Sequence, residues 1–588
     1  MKRLAIVVAA SCAAPAPPPP APAPAPPAVV PAPPTEPPRP TMTADDRFTA
    51  YADQFLAEYL RLFPVDATTQ GEHRWDATWP DLTPAGDAKL HAFFERALAG
   101  IPHGELSQQN QIDATLLADQ LRFGLFQLDE LKPRDRDPLL YTSLVGEGFD
   151  PLVNRNFGTP ASRLASVIGR LEALPDVLAA AKTRLQHPPR VATETAITQT
   201  AGLIGLVEHE LAARFPDGGA PLAAASGRAA AALHDFKTFL EHDLLARSDG
   251  SFRLGRELFA KKLAFVLEDD SIDIDALAAA ARELLTRTQE EMVETAKQIW
   301  SDDKLGKLPP LATPAQRKAF VKRVLDHVAE DRPTNKTILA DAKALLAQAT
   351  EFVRSHDLVR VPDEPVAVVE MPEYLRGVAV AYCDSSGPLE ATPETLFAIS
   401  PTPADWDTKR VESFYREYNH AMLADLVVHE AMPGHYLQLM HNNRFRSKLR
   451  AVFSSGAFVE GWAVYGEWLM AERGFVGPRM KLERQKMILR VAANALLDHE
   501  IHAGTMEEPA ARALMTGEAF QEDGEATGKW RRARLTSAQL TTYFYGFTQF
   551  LALRKAAEAK PGFSERAYHD RLLSWGSPAM KFVRQLEQ

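Results

Sequence analysis

The chain has 588 residues and 46% hydrophobic content, enough to bury a large core as one helical body or as two lobes. A formal charge of -11 at neutral pH argues against nucleic acid as a partner. The only cysteines, Cys12 and Cys383, supply neither a disulfide scaffold nor a cysteine-based zinc site.

The chain starts as an export signal does. Lys2 and Arg3 precede an apolar run over 4–10 that is too short for a membrane span. Residues 1–11 are therefore assigned as a signal peptide and Cys12 as the lipidation site, with simple cleavage to a soluble periplasmic form as the alternative. Residues 13–40 are almost only Pro and Ala, with 15 prolines. Such a stretch forms a polyproline-like tether of up to about 90 Å at ~3.1 Å per residue. The segment 12–44 thus anchors the body to the cell envelope, facing the periplasm or the exterior, and the lipid is the only membrane contact expected.

Residues 45–356 read as an N-terminal helical region. Leu277, Leu284, Leu285 and Met292 make one apolar stripe behind the candidate caps Asp273 and Asp275. Alanine-rich stretches such as 223–232 favour close helix packing. From 357 to 588 the chain reads as the catalytic region. Only 359–400 looks β-rich, with Val366-Ala-Val-Val-Glu-Met and Gly377-Val-Ala-Val-Ala-Tyr-Cys as two runs of a small hairpin or sheet. Its edge is suited to pairing with an extended peptide. The expected fold class is mainly α: a large multi-helix body carrying this one small β element.

The chemistry concentrates after residue 420. His429, Glu430 and His435 lie in Leu-Val-Val-His-Glu-Ala-Met-Pro-Gly-His-Tyr-Leu-Gln, and Glu460 in Phe-Val-Glu-Gly-Trp-Ala-Val-Tyr-Gly-Glu. Histidines six apart stand about 120° apart on a straight helix, so a straight helix cannot bring both to one ion. Pro433 and Gly434 lie between them, and proline ends a helix while glycine permits a reversal. The turn can swing His435 back. Leu423, Leu426 and Val427 anchor the first helix, while Phe458, Trp462 and Tyr465 anchor the next. Glu460 and Glu467, seven residues apart and nearly two whole turns, share a face, so Glu467 can support a ligand from behind. The dipeptide His-Glu also occurs at His209-Glu210 and His499-Glu500, so the pair alone means little; His209 looks like part of a solvated face.

A third helix spans 487–501. It is largely apolar, through Ile488, Leu489, Val491, Leu496 and Leu497, yet Arg490, Asn494, Asp498 and His502 recur every fourth residue. Polar groups in a buried helix must pair or face a cavity. Arg490 and Asn494 are accordingly read as substrate-binding, Asp498 as support and His502 as catalytic, against the alternative of an internal salt-bridge network.

These segments resemble the bacterial family named domain of unknown function 885. The likeness runs from about Asp45 to the C-terminus and includes Pro64-x-x-Ala67-Thr68 with Gly71. The resemblance implies a helical, zincin-type metallopeptidase, often a lipoprotein, in which His429, His435 and Glu460 bind one zinc ion and Glu430 is the general base. Near its end the family pattern has Arg, then Pro-Gly-Gln, then Tyr-x-x-Gly. This chain has Arg532, Gln539, Tyr543 and Gly546, but Ser537-Ala538 replaces the Pro-Gly and Glu500 stands at an expected Gly. Those departures bear on loop shape and substrate preference.

The expected reaction is hydrolysis of peptide bonds by zinc-activated water, with Glu430 handling the proton, Tyr543 or His502 facing the oxyanion, and Arg532 joining Arg490 and Asn494 on the substrate. A metal-dependent amidase or esterase would share every residue named. A noncatalytic peptide-binding lipoprotein would not need Glu430.

Overall fold

The computed structural model describes residues 42–371 and 380–588. The signal segment, Cys12, the tether as far as residue 41, and 377–379 of the second β-rich run lie outside the described residues.

Helices start where local chemistry starts them. Asp273 caps Ile274–Asp302 by accepting from the amides of Asp275 and Ala276 at 2.9 and 3.1 Å. Thr159 and Thr313 close capping boxes on Ser162 and Gln316. Pro138, Pro160, Pro314 and Pro478 each open a helix, where the missing amide costs nothing. Of the predicted stripe, Leu284, Leu285 and Met292 are buried and Leu277 packs against the same core.

The helices that build and back the cleft are, in chain order, α1 (Pro138–Asn154), α2 (Arg190–Gly205), α3 (Ile274–Asp302), α4 (His420–Glu430), α5 (His435–Asn443), α6 (Gly456–Glu472), α7 (Pro478–His502), α8 (Asp523–Leu535) and α9 (Thr541–Glu558). Ala44–Gln588 form one unit that is mainly helical. Its largest core draws on residues from Phe259 to Val583, and so on both sides of residue 356. A second core lies between Leu82 and Leu244, and a third joins Phe48 to Leu121 with Leu449. Among the described residues no helix is long and apolar enough to cross a membrane.

The β element is a three-stranded sheet of β1 (Val366–Glu370), β2 (Ala381–Ser385) and β3 (Thr395–Ile399) in the order β1-β3-β2. The two runs read from the sequence do not pair with each other as a hairpin. The unread run Thr-Leu-Phe-Ala-Ile forms β3 and lies between them, parallel to β1 and antiparallel to β2. Phe397, Ala398 and Ile399 are buried, as a central strand requires. β2 is consequently an edge.

Candidate metal centre and cleft

Asn419 caps α4, its Oδ1 accepting from the amides of Ala421 and Met422 at 3.1 Å. Leu423, Ala424, Val427 and Val428 are fully buried and fix the helix in the core, while Leu426 lines the cleft. After Glu430 the chain doubles back. The Gly434 amide donates to the Val428 carbonyl at 2.9 Å, and a Cβ on Gly434 would stand 1.9 Å from the His429 carbonyl oxygen. Glycine is needed here for close approach; its φ of -74° is ordinary, so the reversal does not use left-handed backbone. The Met432–Pro433 peptide is cis. Trp462 of α6, fully buried, donates its indole N–H to the Pro433 carbonyl at 2.8 Å and pins the turn.

The turn delivers His435 beside His429. His429 Nε2 lies 3.8 Å and His435 Nε2 3.6 Å from Glu460 Oε2, and the ligating atoms of all three lie within 4.8 Å of one another. Donors about 2.1 Å from a tetrahedral zinc stand about 3.4 Å apart, so the spacing fits such an ion with little adjustment. Glu460 Oε2 is buried without a hydrogen-bond partner, as an oxygen reserved for a metal would be. Among the described residues no other group of His, Cys, Asp and Glu converges in this way.

Glu467 supports the set as its spacing predicts. Its Oε1 lies 2.5 Å from His429 Nδ1, leaving Nε2 to face Glu460. Burial raises its carboxyl to about 7, against the pull of Arg484, whose Nε lies 3.3 Å from Oε2. Asp425, one turn before His429, is buried in the same group, and burial and the Glu467 charge hold its carboxyl well above the usual range. Burial lowers His429, and the charge of His435 adds to that. Burial opposes ionisation of Glu460, but the pairing with His435 outweighs it and its carboxyl sits below the usual range.

Glu430 is not among the three donors. Its Oε2 accepts from the Cys383 amide of β2 at 3.0 Å. Val380, Tyr382, Asp384 and Ser386 face Ser400, Ala398, Leu396 and Glu394, with bonds from Ser400 N to Val380 O at 2.8 Å and from Ser386 N to Glu394 O at 2.9 Å. Alternation therefore turns the backbone of Ala381, Cys383 and Ser385 away from β3. A cleft of about 1480 Å³ opens above, lined by His429, Glu430 and Tyr543, by Leu139, Leu140 and Leu144 of α1 and by Thr195, Thr198 and Gln199 of α2.

The model of the family described as DUF885, bacterial protein of unknown function, matches residues 64–586. The chain belongs to this family. A solved structure, a candidate lipoprotein of unknown function from Shewanella oneidensis, is 30% identical with a TM-score of 0.77, over 92% of this chain and 99% of that one. A candidate lipoprotein from Colwellia psychrerythraea shares the fold at 16% identity and a TM-score of 0.75, over 93% of this chain and 99% of that one. No curated protein matches.

The remaining predicted residues of this DUF885 chain divide. Arg490, Asn494, Arg532 and Tyr543 line the cleft. Arg490 pairs there with Glu525, and Arg532 donates to Gln539 Oε1 at 2.9 Å. Burial and the Glu460 charge push the Tyr543 hydroxyl up to about 12. His502 and Asp498 are not brought to the cleft. An every-fourth-residue stripe rotates about 40° per step, so over twelve residues it drifts about 120°. His502 is buried with Nε2 at 2.9 Å from the carbonyls of Ala533 and Thr536, and Asp498 accepts from the amides of Ala538 and Thr541 and the Thr541 hydroxyl. Of the alternative network, in which Asp498 pairs with Arg490 or His502, Arg490 instead pairs with Glu525, while the charges of Asp498 and His502 do act on each other. Ala538, which replaces the expected glycine, has φ of 67°, so the loop keeps a left-handed turn and Asp498 holds it. His209 is exposed, as its surroundings imply.

Sequence reading missed Asp425, Arg484 and Lys529. Asp425 had a signal: a lone acid in an apolar helix at i-4 from His429. Arg484 and Lys529 had none beyond sitting in helices.

Proposed function

We propose that this chain is a zinc-dependent hydrolase that cleaves peptide bonds of peptides in the cell envelope. What carries the reading is the convergence of His429, His435 and Glu460 while a fourth carboxylate, Glu430, stands in the cleft without joining them. One zinc ion bound there supplies Lewis acidity, bringing the pKa of water from 15.7 to about 7 and polarising a carbonyl.

The chain's own residues do the rest. Glu430 projects about 100° from His429 on the same helix and takes the proton of the attacking water. The water oxygen bonds to the scissile carbon, the C–N bond breaks, and Glu430 returns the proton to the leaving nitrogen. Tyr543, beside Glu460, donates to the oxyanion; its raised pKa keeps that proton in place at neutral pH. At the outward edge of β2 the Cys383 amide is held by Glu430 and the Ser385 carbonyl by Arg155, which leaves the backbone of Ala381, lining the cleft, to pair with an extended substrate and favours a peptide over a non-peptide amide or ester. The two solved relatives are candidate lipoproteins, which favours Cys12 as the anchor.

Metal analysis and peptide cleavage by purified full-length protein test the proposal. His435→Ala should lose zinc, and Glu430→Gln should keep it while hydrolysis falls at least ~10² fold. Stoichiometric zinc in the first variant, or undiminished turnover in the second, defeats the assignment. Cys12→Ser should release the protein from the membrane fraction; equal retention of both forms rejects the lipid anchor.

A further inference from the structure

The part of the cleft lined by α7 and α8 carries positive charge that the hydrolytic residues do not use. Lys529 of α8 lines the cleft, yet its side chain is only 4% exposed, and among the described residues nothing pairs with it. The nearby carboxylates are engaged elsewhere. Glu525 pairs with Arg490, Glu417 with Lys486 at 2.8 Å, and Glu522 with Lys322 at 3.6 Å. A buried ammonium without a counter-charge is unfavourable, and burial together with the Arg490 charge holds Lys529 well below the usual lysine range. Arg532, exposed at the surface of the cleft, also adds positive charge to its surroundings. On the same wall Asn494, 5% exposed, leaves its carboxamide oxygen without a partner.

This wall runs directly to the metal donors. Arg532 donates to Gln539 Oε1 at 2.9 Å, Gln539 donates to the Tyr543 hydroxyl at 3.5 Å, and Tyr543 interacts with Glu460. Arg532, Gln539 and Tyr543 thus connect the Lys529 neighbourhood to a ligand position, along a lining that an extended peptide follows at ~3.3 Å per residue. Of the charges that act on Lys529, Arg490 and Arg532 oppose the one acid Glu525, which pairs with Arg490, so Lys529 has no anion of its own in the cleft. A carboxylate fits that need in charge and in its two acceptor oxygens. Asn494 stands ready to bond the adjoining peptide amide.

We propose that Lys529 and Arg532 anchor the C-terminal carboxylate of a short peptide, so that the hydrolase cuts within a few residues of the C-terminal end. The position of the cut rests on the hydrolase reading of the preceding section; the carboxylate anchor does not. The test uses full-length Glu430→Gln protein, in which hydrolysis should be at least ~10² fold slower, and three calorimetric probes. These are N-acetyl tetra-alanine as the free acid, the same peptide as its C-terminal amide, and an amide with glutamate as its last residue. The free acid should bind at least tenfold more tightly than either amide. Lys529→Met should abolish the difference, Arg532→Gln should narrow it, and wild-type protein should release fragments from the C-terminal end of the free acid. Equal binding of free acid and amide, binding of none, or discrimination that survives Lys529→Met overturns the anchor. Parity of the glutamyl amide with the free acid overturns the terminal assignment in favour of an acidic side chain. Because the first comparison needs no mutation at Lys529, a misfolded variant does not protect the idea. Discrimination by a protein that holds no zinc and cleaves nothing refutes the hydrolase and leaves the anchor standing; cleavage without discrimination does the reverse.

Discussion

His429 has two ring nitrogens, and only one can face Glu460 and His435. Glu467 decides which, by taking Nδ1 at 2.5 Å and leaving Nε2 to the centre. A carboxylate behind a ligating histidine fixes its tautomer and raises its basicity, and removing such a partner costs 10–100-fold in metal affinity. Glu467→Gln keeps a hydrogen-bonding oxygen but not the charge, and it avoids the hole a smaller residue would leave beside buried Arg484. We expect zinc affinity, measured by competition with a chelator, to fall by roughly 10-fold or more with the fold intact. An unchanged affinity would mean that Glu467 serves only to neutralise Arg484. At this scale the sequence was informative wherever function constrains spacing: Glu460 and Glu467 lie seven apart because two turns separate them, and both point at His429. It was uninformative for Lys529, because a lysine in a polar helix looks solvated until the opposing wall is known.

Helix α6 carries Glu460 and α9 carries Tyr543, and the crossing of the two helices sets how these side chains meet. They touch backbone to backbone. A Cβ on Gly461 would stand 2.5 Å from Gly546 Cα, and one on Gly546 would stand 2.0 Å from the Ala457 carbonyl oxygen. Gly461 adjoins Glu460, and Gly546 lies one turn after Tyr543, so the Tyr-x-x-Gly pattern is a packing requirement as well as a chemical one. Gly546→Ala must push the helices apart, and overpacking of this kind typically costs 1–3 kcal/mol. Both the melting temperature and the turnover should fall; a variant with unaltered values for both would show that α9 yields without moving Tyr543. Helices of this kind were legible from their apolar period and caps, as at Asp273. The errors came from geometry that a linear pattern does not carry. The polar stripe of α7 leaves the cleft by helical drift after Asn494, and the third strand carries no sequence signal because five residues of Thr-Leu-Phe-Ala-Ile show no alternation when both faces are buried.

The whole molecule closes the cleft with elements far apart in sequence, since α1 and α2 line it together with α4, α7 and α8. Nothing in α1 or α2 marks them as cleft walls, because Leu139, Leu140, Glu147, Thr195 and Gln199 are ordinary residues of amphipathic helices and only packing turns them to the cleft. Long-range packing has a measurable pH signature at Glu268. This carboxyl ends the helix Arg256–Leu267 and lies buried against Ser455, which precedes α6, and Gln120, in the helix Gln108–Phe126; the charges of Lys581 and Asp119 act on it. Burial raises it from 4.5 to about 7, and one oxygen has no hydrogen-bond partner. A carboxyl whose pKa is higher in the folded than in the unfolded chain stabilises the fold only while protonated. Its contribution is complete below about 4.5 and is lost as pH rises through about 7. At 1.36 kcal/mol per unit the loss is on the order of 3 kcal/mol. Glu268→Gln keeps the size and removes the titration, so thermal melts of the two proteins should coincide near pH 4.5 and diverge above it, with the variant melting higher at pH 8. Parallel curves across that range would show that Glu268 is solvated or already neutralised in the folded protein, and that the junction it occupies is looser than its burial implies.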